Sequence, residues 1–175
     1  MSVIFERRSV RSFLPKPVEP EKIERIIRAG FEAPSAHNRR PWEFMVITAE
    51  NDRKAIADMS PYAKMTASAA AAIIPCFDRN LGNKADEEDT WWIQDLSAAT
   101  ENILLQITEE GLGGVWLGWY PDGPRVTAFS RHFSLPAHIV PFAVIALGYP
   151  AGPVKPADRF DPSKVHYGVY GKHSA

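Results

Sequence analysis

Apolar and polar positions along the chain repeat with two different periods, and the switches between them divide it into elements. Over residues 19–33 the apolar side recurs at Ile23, Ile26, Ile27, Gly30 and Phe31, the i, i+3, i+4, i+7, i+8 spacing of one helix face. Pro20 suits the first turn, where a missing N–H costs nothing, and Pro34 stops the helix. "WEFMVIT", residues 42–48, is rich in β-branched and aromatic side chains and predicts a strand. A short helix is expected over 51–59 and a second strand over 70–77. The polar stretch "GNKADEED" leads into the longest helix, residues 90–110, whose buried stripe is Trp92, Leu96, Ala99, Ile103 and Ile107. "EEGLGG" ends it, with Gly111 as a left-handed cap. "GVWLGWYP" predicts a third strand with internal glycines, which mark close approach of a ligand or of another backbone. A helix over 125–133 and a fourth strand over 139–150 follow. The segment from Ala151 has no periodicity but carries Phe160, Tyr167 and Tyr170, so it is expected to dock, a second subunit being a natural place. Helices and strands alternate without a βαβ rhythm. That predicts an α+β domain with helices on both faces of a central sheet.

Length narrows this to one domain over residues 1–175, since 175 residues suffice for a single core. A 45% hydrophobic and 23% charged composition is that of a globular, ordered chain. The formal net charge is −1, so the arginines near the N-terminus are a local feature without a basic field behind them, which argues against nucleic acid. A single cysteine, Cys76, excludes an intrachain disulfide, and its apolar setting "AAIIPCFD" reads as a buried small side chain. The N-terminus lacks a secretory pattern and the apolar run at 69–75 is too short to span a bilayer, so a cytoplasmic protein without membrane contact is expected.

Common catalytic signatures fail. There is no GxxxxGK[ST] and no GxSxG, and the histidines show no HExxH or HxxxH spacing. Gly111, Gly113 and Gly114 approach GxGxxG, but Trp116 stands at the last position, and the cluster joins a helix to a strand, the reverse of a dinucleotide turn. Glu109 and Glu110 read as solvated helix surface. No metal site is expected.

Three polar groups remain. Arg7, Arg8, Ser9 and Arg11 stand in "ERRSVRSF"; arginine forks match phosphate oxygens, and a serine can bond the same anion. A solvated helix face is the other reading. "APSAHNRRPW" joins the first helix to the first strand, stiffened by Pro34 and Pro41; its Ser35 and Asn38 suit a flat heterocycle, or serve only a capped turn. Lys155 and Arg159 follow the last strand and either complete an anion site or lie free on a tail.

"RRSVRSF", "APSAHNRRPWEFMVI", "WWIQDLSAATENILLQITEEGLGGVWLGWYP" and "LPAHIVPFAVIALGYPAGPVKPADRF" together resemble the FMN-dependent nitroreductase family, in its order and spacing and over essentially the whole chain, closest to its short single-domain members. The resemblance implies a three-layer α/β/α sandwich with a mixed, mainly antiparallel sheet, completed by C-terminal exchange in a homodimer with FMN at its interface. It implies that Arg7, Arg8, Ser9 and Arg11 form the first flavin-binding motif, some of them holding the phosphate and ribityl chain and one cation lying near the N1/O2 edge of the ring. Pro34, Ser35, Ala36, His37 and Asn38 would reach the flavin from the partner, and the backbone of Leu117 and Gly118 would approach N5. Arg159, and more weakly Lys155, would bind phosphate, and residues 61–66 would line the site. The implied activity carries electrons from NADH or NADPH through FMN to a small electron-poor aromatic such as a nitroaromatic or quinone, in ping-pong order and without an obligatory catalytic side chain. Reductive dehalogenation, flavin destruction and non-catalytic flavin storage are the alternatives on the same site; RNA binding has little support. The sequence departs from the family pattern at Arg40, where glutamine is common before Pro-Trp, and at His37, often a small residue.

Overall fold

Residues 2–82, 90–155 and 157–173 are described by the computed structural model. The polar "GNKADEED" stretch therefore lies, from residue 83 on, outside the described residues. The helices are α1 (Val3–Glu6), α2 (Pro20–Phe31), α3 (Glu50–Asp58), α4 (Trp91–Glu109) and α5 (Gly123–His132). The strands are β1 (Trp42–Ile47), β2 (Ala71–Asp78), β3 (Gly113–Gly118), β4 (Ile139–Pro141) and β5 (Ala143–Gly148). Short 3-10 turns occupy Ala36–Asn38, Pro61–Ser68 and Pro162–Lys164.

β2 is the centre of the sheet, and all of its residues are buried. It pairs antiparallel with β1 on one side and with β4 and β5 on the other, and β5 carries β3 at the far edge. Successive side chains point to opposite faces. Ala72, Ile74 and Cys76 enter one core with Ile56 of α3, Ala63 of the 3-10 turn and Phe129 of α5. Ala71 and Ile73 enter the other with Ile26 of α2 and Ile103 and Ile107 of α4. The result is the expected sandwich, helices on both faces. Every named strand pair is antiparallel; the parallel pairing is the isolated bridge between Ser9 and Gly114.

The fourth strand expected over 139–150 is two strands. Cys76 faces Pro141, whereas Ile73 faces Ile145, so residues 142–144 oppose only 74 and 75, a one-residue bulge. Pro75 explains it: a proline in a central strand cannot donate to the ladder. Its carbonyl still accepts from the Phe142 N–H at 2.9 Å, and the Phe142 carbonyl turns to the N–H groups of Trp119 and Tyr120 at 3.3 and 3.0 Å.

The helix stripes hold, with one exception. Trp92, Leu96, Ala99, Ile103 and Ile107 are all buried, as are Ile26 and Gly30, but Phe31 is exposed, packing edge-on against Phe44. A Cβ on Gly30 would lie 3.0 Å from Ile103 and Phe44, so α2 and α4 approach closely there. Glu110 corrects the sequence reading. It is no solvated residue: its side chain is only 10% exposed. Its carboxylate accepts from Arg25 Nε and NH2 at 2.7 and 2.8 Å and from Gln106 at 3.0 Å, while its carbonyl accepts from Lys22 at 2.6 Å. The periodicity could not show that α2 carries a guanidinium to the end of α4. The Arg25 hydrogen bond, first, holds the Glu110 carboxyl below its ordinary value despite partial desolvation.

Two outcomes are expected. A carboxyl with a lowered folded-state pKa stabilises the fold above its unfolded value, ordinarily about 4.5, and that contribution is lost as pH falls through the folded value. Glu110→Gln should therefore lower the melting temperature at pH 7, with the gap to the unaltered protein closing as pH falls below about 4.5 in a pH series of thermal melts. Gly113→Ala should cost about 1–3 kcal/mol by overpacking, several degrees in melting temperature, because its Cβ would fall 2.6 Å from Val10.

Candidate functional site

The N-terminal arginines are positioned by backbone. After α1 the chain runs alongside the start of β3, with Ser9 bridging Gly114 and the Val10 N–H donating to the Gly114 carbonyl at 3.0 Å. Val10 fills the space a side chain on Gly113 would need. The strand glycines thus split into two uses. Gly113 admits a neighbouring chain segment, whereas Gly118 is exposed with nothing within 4 Å of a Cβ position, leaving its backbone approachable. The Gly118 carbonyl accepts from Arg125 NH1 at 3.1 Å, and the neighbouring Leu117 is buried in the core.

Arg7 and Arg8 point to different partners. Arg7 pairs with Glu101 of α4 at 3.0 Å. Arg8 donates to the carbonyls of Arg7, at 2.6 Å, and of Ala157, at 2.8 Å, which ties the C-terminal segment to the N-terminal one. The Arg8 Nε–H is buried and, among the described residues, has no hydrogen-bond partner. A buried unpaired donor on a cation is costly and calls for an acceptor. Arg7, Arg8 and Arg159 line one cavity of about 550 Å3, together with Ile4, Phe5, Ala157, Asp158 and Phe160. The Asp158 carboxylate is turned to the Phe160 N–H at 3.0 Å. Cations therefore outnumber anions in this cavity, and an acceptor-rich dianion such as a phosphate monoester suits both the charge and the unpaired donor.

Not every expected residue joins it. Lys155 is exposed and outside the cavity lining. Arg11 is exposed and, among the described residues, makes no ion pair or side-chain hydrogen bond. Ser9 contributes its backbone, and its side chain is exposed.

The loop of Pro34, Ser35, Ala36, His37 and Asn38 stands elsewhere, at the N-terminal end of α4. The Ala36 N–H donates to Asp95 Oδ1 at 2.9 Å, and Ser35 Oγ accepts from the Arg40 N–H at 2.8 Å. His37, Asn38 and Arg40 have φ of 52°, 54° and 50°, left-handed backbone that these residue types adopt at a cost. One hydrogen bond within the loop and one to α4 hold that backbone, and the side chains of His37, Asn38 and Arg40 are exposed. Below the loop, Trp92 stacks on Phe77 at 4.4 Å and meets Tyr120 edge-on at 4.7 Å. Asp95 and Glu101 anchor the loop and Arg7 to one helix, six residues or about 9 Å apart along its axis. Sequence reasoning missed both anchors. Asp95 had a visible signal, a carboxylate beside the apolar stripe in "WWIQDL"; Glu101, on an ordinary polar face, had none.

Residues 61–66 form a 3-10 turn started by Ser60, whose Oγ accepts from the Tyr62 N–H at 3.3 Å. Thr66 at its end is fully buried with an unpaired hydroxyl.

Comparison with known proteins places this geometry. The nitroreductase family model matches residues 4–67 and 59–149. A Methanothermobacter thermautotrophicus protein, provisionally named an NADH dehydrogenase/NAD(P)H nitroreductase, is 40% identical over 166 residues, covering 95% of this chain and 85% of its own. A Clostridium acetobutylicum structure, provisionally named an NADH oxidase, superposes with a TM-score of 0.90 at 39% identity, covering 97% of this chain and 100% of its own. A Desulfovibrio desulfuricans nitroreductase-type structure in complex with FMN superposes with a TM-score of 0.79 at 28% identity, covering 96% and 95%. With the family model spanning most of the chain and relatives near 40% identity over nearly its whole length, this chain belongs to the nitroreductase family.

Proposed function

We propose that the chain is an FMN-dependent NAD(P)H oxidoreductase, working as a homodimer on small electron-poor aromatic acceptors. The observation that carries this reading is the convergence of Arg7, Arg8 and Arg159, from opposite ends of the chain, on one cavity in which the Arg8 Nε–H lacks a partner. That cavity fits the phosphate of FMN. When bound, FMN supplies two-electron chemistry between a nicotinamide donor and an acceptor. The protein's part is binding, orientation and charge. Arg8 and Arg159 hold the phosphate, while Arg7, neutralised by Glu101, fixes the approach of the N-terminal segment. Arg11, exposed and unpaired, is the cation available to the electron-rich edge of the ring, where a positive charge favours the reduced form. Gly118 leaves room for the ring against the end of β3.

A second copy is needed because one copy does not bring the His37–Asn38 loop to the cationic cavity. The lining of the cavity includes none of residues 34–38. Exposed Ile4, Phe5, Phe160, Val169 and Tyr170 supply apolar surface for a partner, in keeping with C-terminal exchange. Names of relatives agree with the assignment: the Bacillus subtilis relative is an FMN reductase [NAD(P)H] and the Salmonella typhimurium relative an oxygen-insensitive NADPH nitroreductase. Donor and acceptor use the same open face in turn, which is ping-pong order, and the exposed His37 and Arg40, carried in on the loop of the second copy, would meet the acceptor. No described helix is long and apolar enough to cross a membrane, and we place the activity in the cytoplasm.

The purified protein should be yellow and elute as a dimer, and NADH or NADPH under anaerobic conditions should bleach the flavin band, which a nitroaromatic or quinone then restores. Colourless protein that ignores added FMN would end this reading. Arg8→Ala and Arg159→Ala should each weaken FMN binding roughly 10- to 100-fold, the loss of one charge-assisted hydrogen bond of about 1.5–3 kcal/mol, read by fluorescence titration. Unchanged affinity in both variants would place the phosphate elsewhere.

A further inference from the structure

A second concavity, of about 640 Å3, opens at the start of β2 and shares no lining residue with the Arg7–Arg8–Arg159 cavity. Its walls are apolar: Phe13, Val18 and Ile23 on one side, Ala67, Ala69 and Ala70 on the other. Three charged side chains also line it, Lys16, Glu50 and Arg53. Two of them are already compensated. Lys16 Nζ lies 3.8 Å above the Tyr149 ring and 3.7 Å from Glu19, and the Glu50 carboxylate pairs with Lys54 at 2.5 Å. Arg53 is different. Its NH1 donates to the Thr48 carbonyl, its Nε–H is buried without a partner, and among the described residues it has no carboxylate within ion-pair distance. Glu50, though paired with Lys54, lies near enough to feel the Arg53 charge. The groove therefore carries, among the described residues, a guanidinium without an ion-pair partner in a largely apolar setting.

We propose that this groove binds a small organic acid, an apolar body carrying a single carboxylate, with Arg53 as its anchor. With NH1 engaged by Thr48, the remaining edge of the guanidinium, Nε and NH2, is a paired donor that matches the two oxygens of a carboxylate. Binding requires the half-buried side chain to turn its Nε–H, buried and without a partner as it stands, toward the groove. The apolar walls take the body of the ligand, and the volume falls within the roughly 300–1,000 Å3 of small-molecule sites. The two carboxylates nearby are engaged first by other cations and by a phenol: Glu50 by Lys54, with Arg53 as a weaker influence, and Glu19 by Lys16 and Tyr149. The site is separate from the proposed flavin site, so it stands or falls without it.

Calorimetric titration of the purified full-length protein with octanoate, octan-1-ol and inorganic phosphate tests this. Octanoate should bind at least roughly 10-fold more tightly than either of the others, about 1.4 kcal/mol. Arg53→Gln should bring octanoate down to the level of octanol while leaving the flavin spectrum and FMN affinity unchanged. Leu14→Trp, which fills the groove mouth from an exposed position, should weaken octanoate with Arg53 intact, and so serves even where Arg53→Gln fails to fold. Equal binding of acid and alcohol would overturn the proposal. So would phosphate binding as tightly as octanoate, an Arg53→Gln affinity equal to that of the unaltered protein, displacement of flavin by octanoate, or no binding up to about 10 mM.

Discussion

The close seating of residues 9 and 10 against the first residues of β3 is the contact on which the rest of the site depends. It requires Gly113, because Val10 occupies the place of a Cβ. It is fixed by the Val10 N–H bond to the Gly114 carbonyl. From that seat the chain delivers Arg7 to Glu101 and Arg8 to the carbonyl of Ala157. The N-terminal segment, the edge strand and the C-terminal segment are thereby joined into one wall. Two arginines so close in sequence would otherwise repel and wander; here one is neutralised by α4 and the other is pinned by carbonyls, with one donor left over.

α4 is the second organising element. Its apolar stripe buries it against the sheet, while its polar positions act as fixed points: Asp95 for the loop at 36–38, Glu101 for Arg7, and Glu110, just past its end, for α2. The residues proposed to bind are carried on loops and a strap, of which Arg7, residues 9 and 10 and the loop at 36–38 are tied to a rigid helix or strand. That is how flexible segments can present a constant geometry to a ligand. The left-handed backbone at His37, Asn38 and Arg40 belongs to the same logic, since a strained loop persists only where its surroundings over-determine it.

Charge is distributed with the same economy. Most surface cations are spent on nearby carboxylates or carbonyls, as with Arg25, Arg28 and Lys54. Among the described residues two guanidiniums keep a buried, unpaired Nε–H, Arg8 and Arg53, and each lines a cavity. A cation left incompletely satisfied inside a concavity, in a chain of net charge −1, is the observation on which both proposed anion sites rest.

Much of this was written in the sequence. Local periodicity determined where the helices and strands lie, because burial of a stripe or of alternate residues demands it. The alternation of those elements predicted the α+β class, the residues themselves displayed the cations at both chain ends, and the order of the motifs carried the family resemblance. The sequence did not show the break in the fourth apolar run, which depends on Pro75 of a different strand facing it. Nor did it show that Glu110 is held by Arg25, that Gly113 serves Val10 while Gly118 stays open, or that Lys155 stands outside the cavity that Arg159 lines. Each of those is a contact between residues far apart in the chain. Sequence pattern reports the periodic demand of burial on one segment; which donor meets which acceptor is decided only when the segments pack.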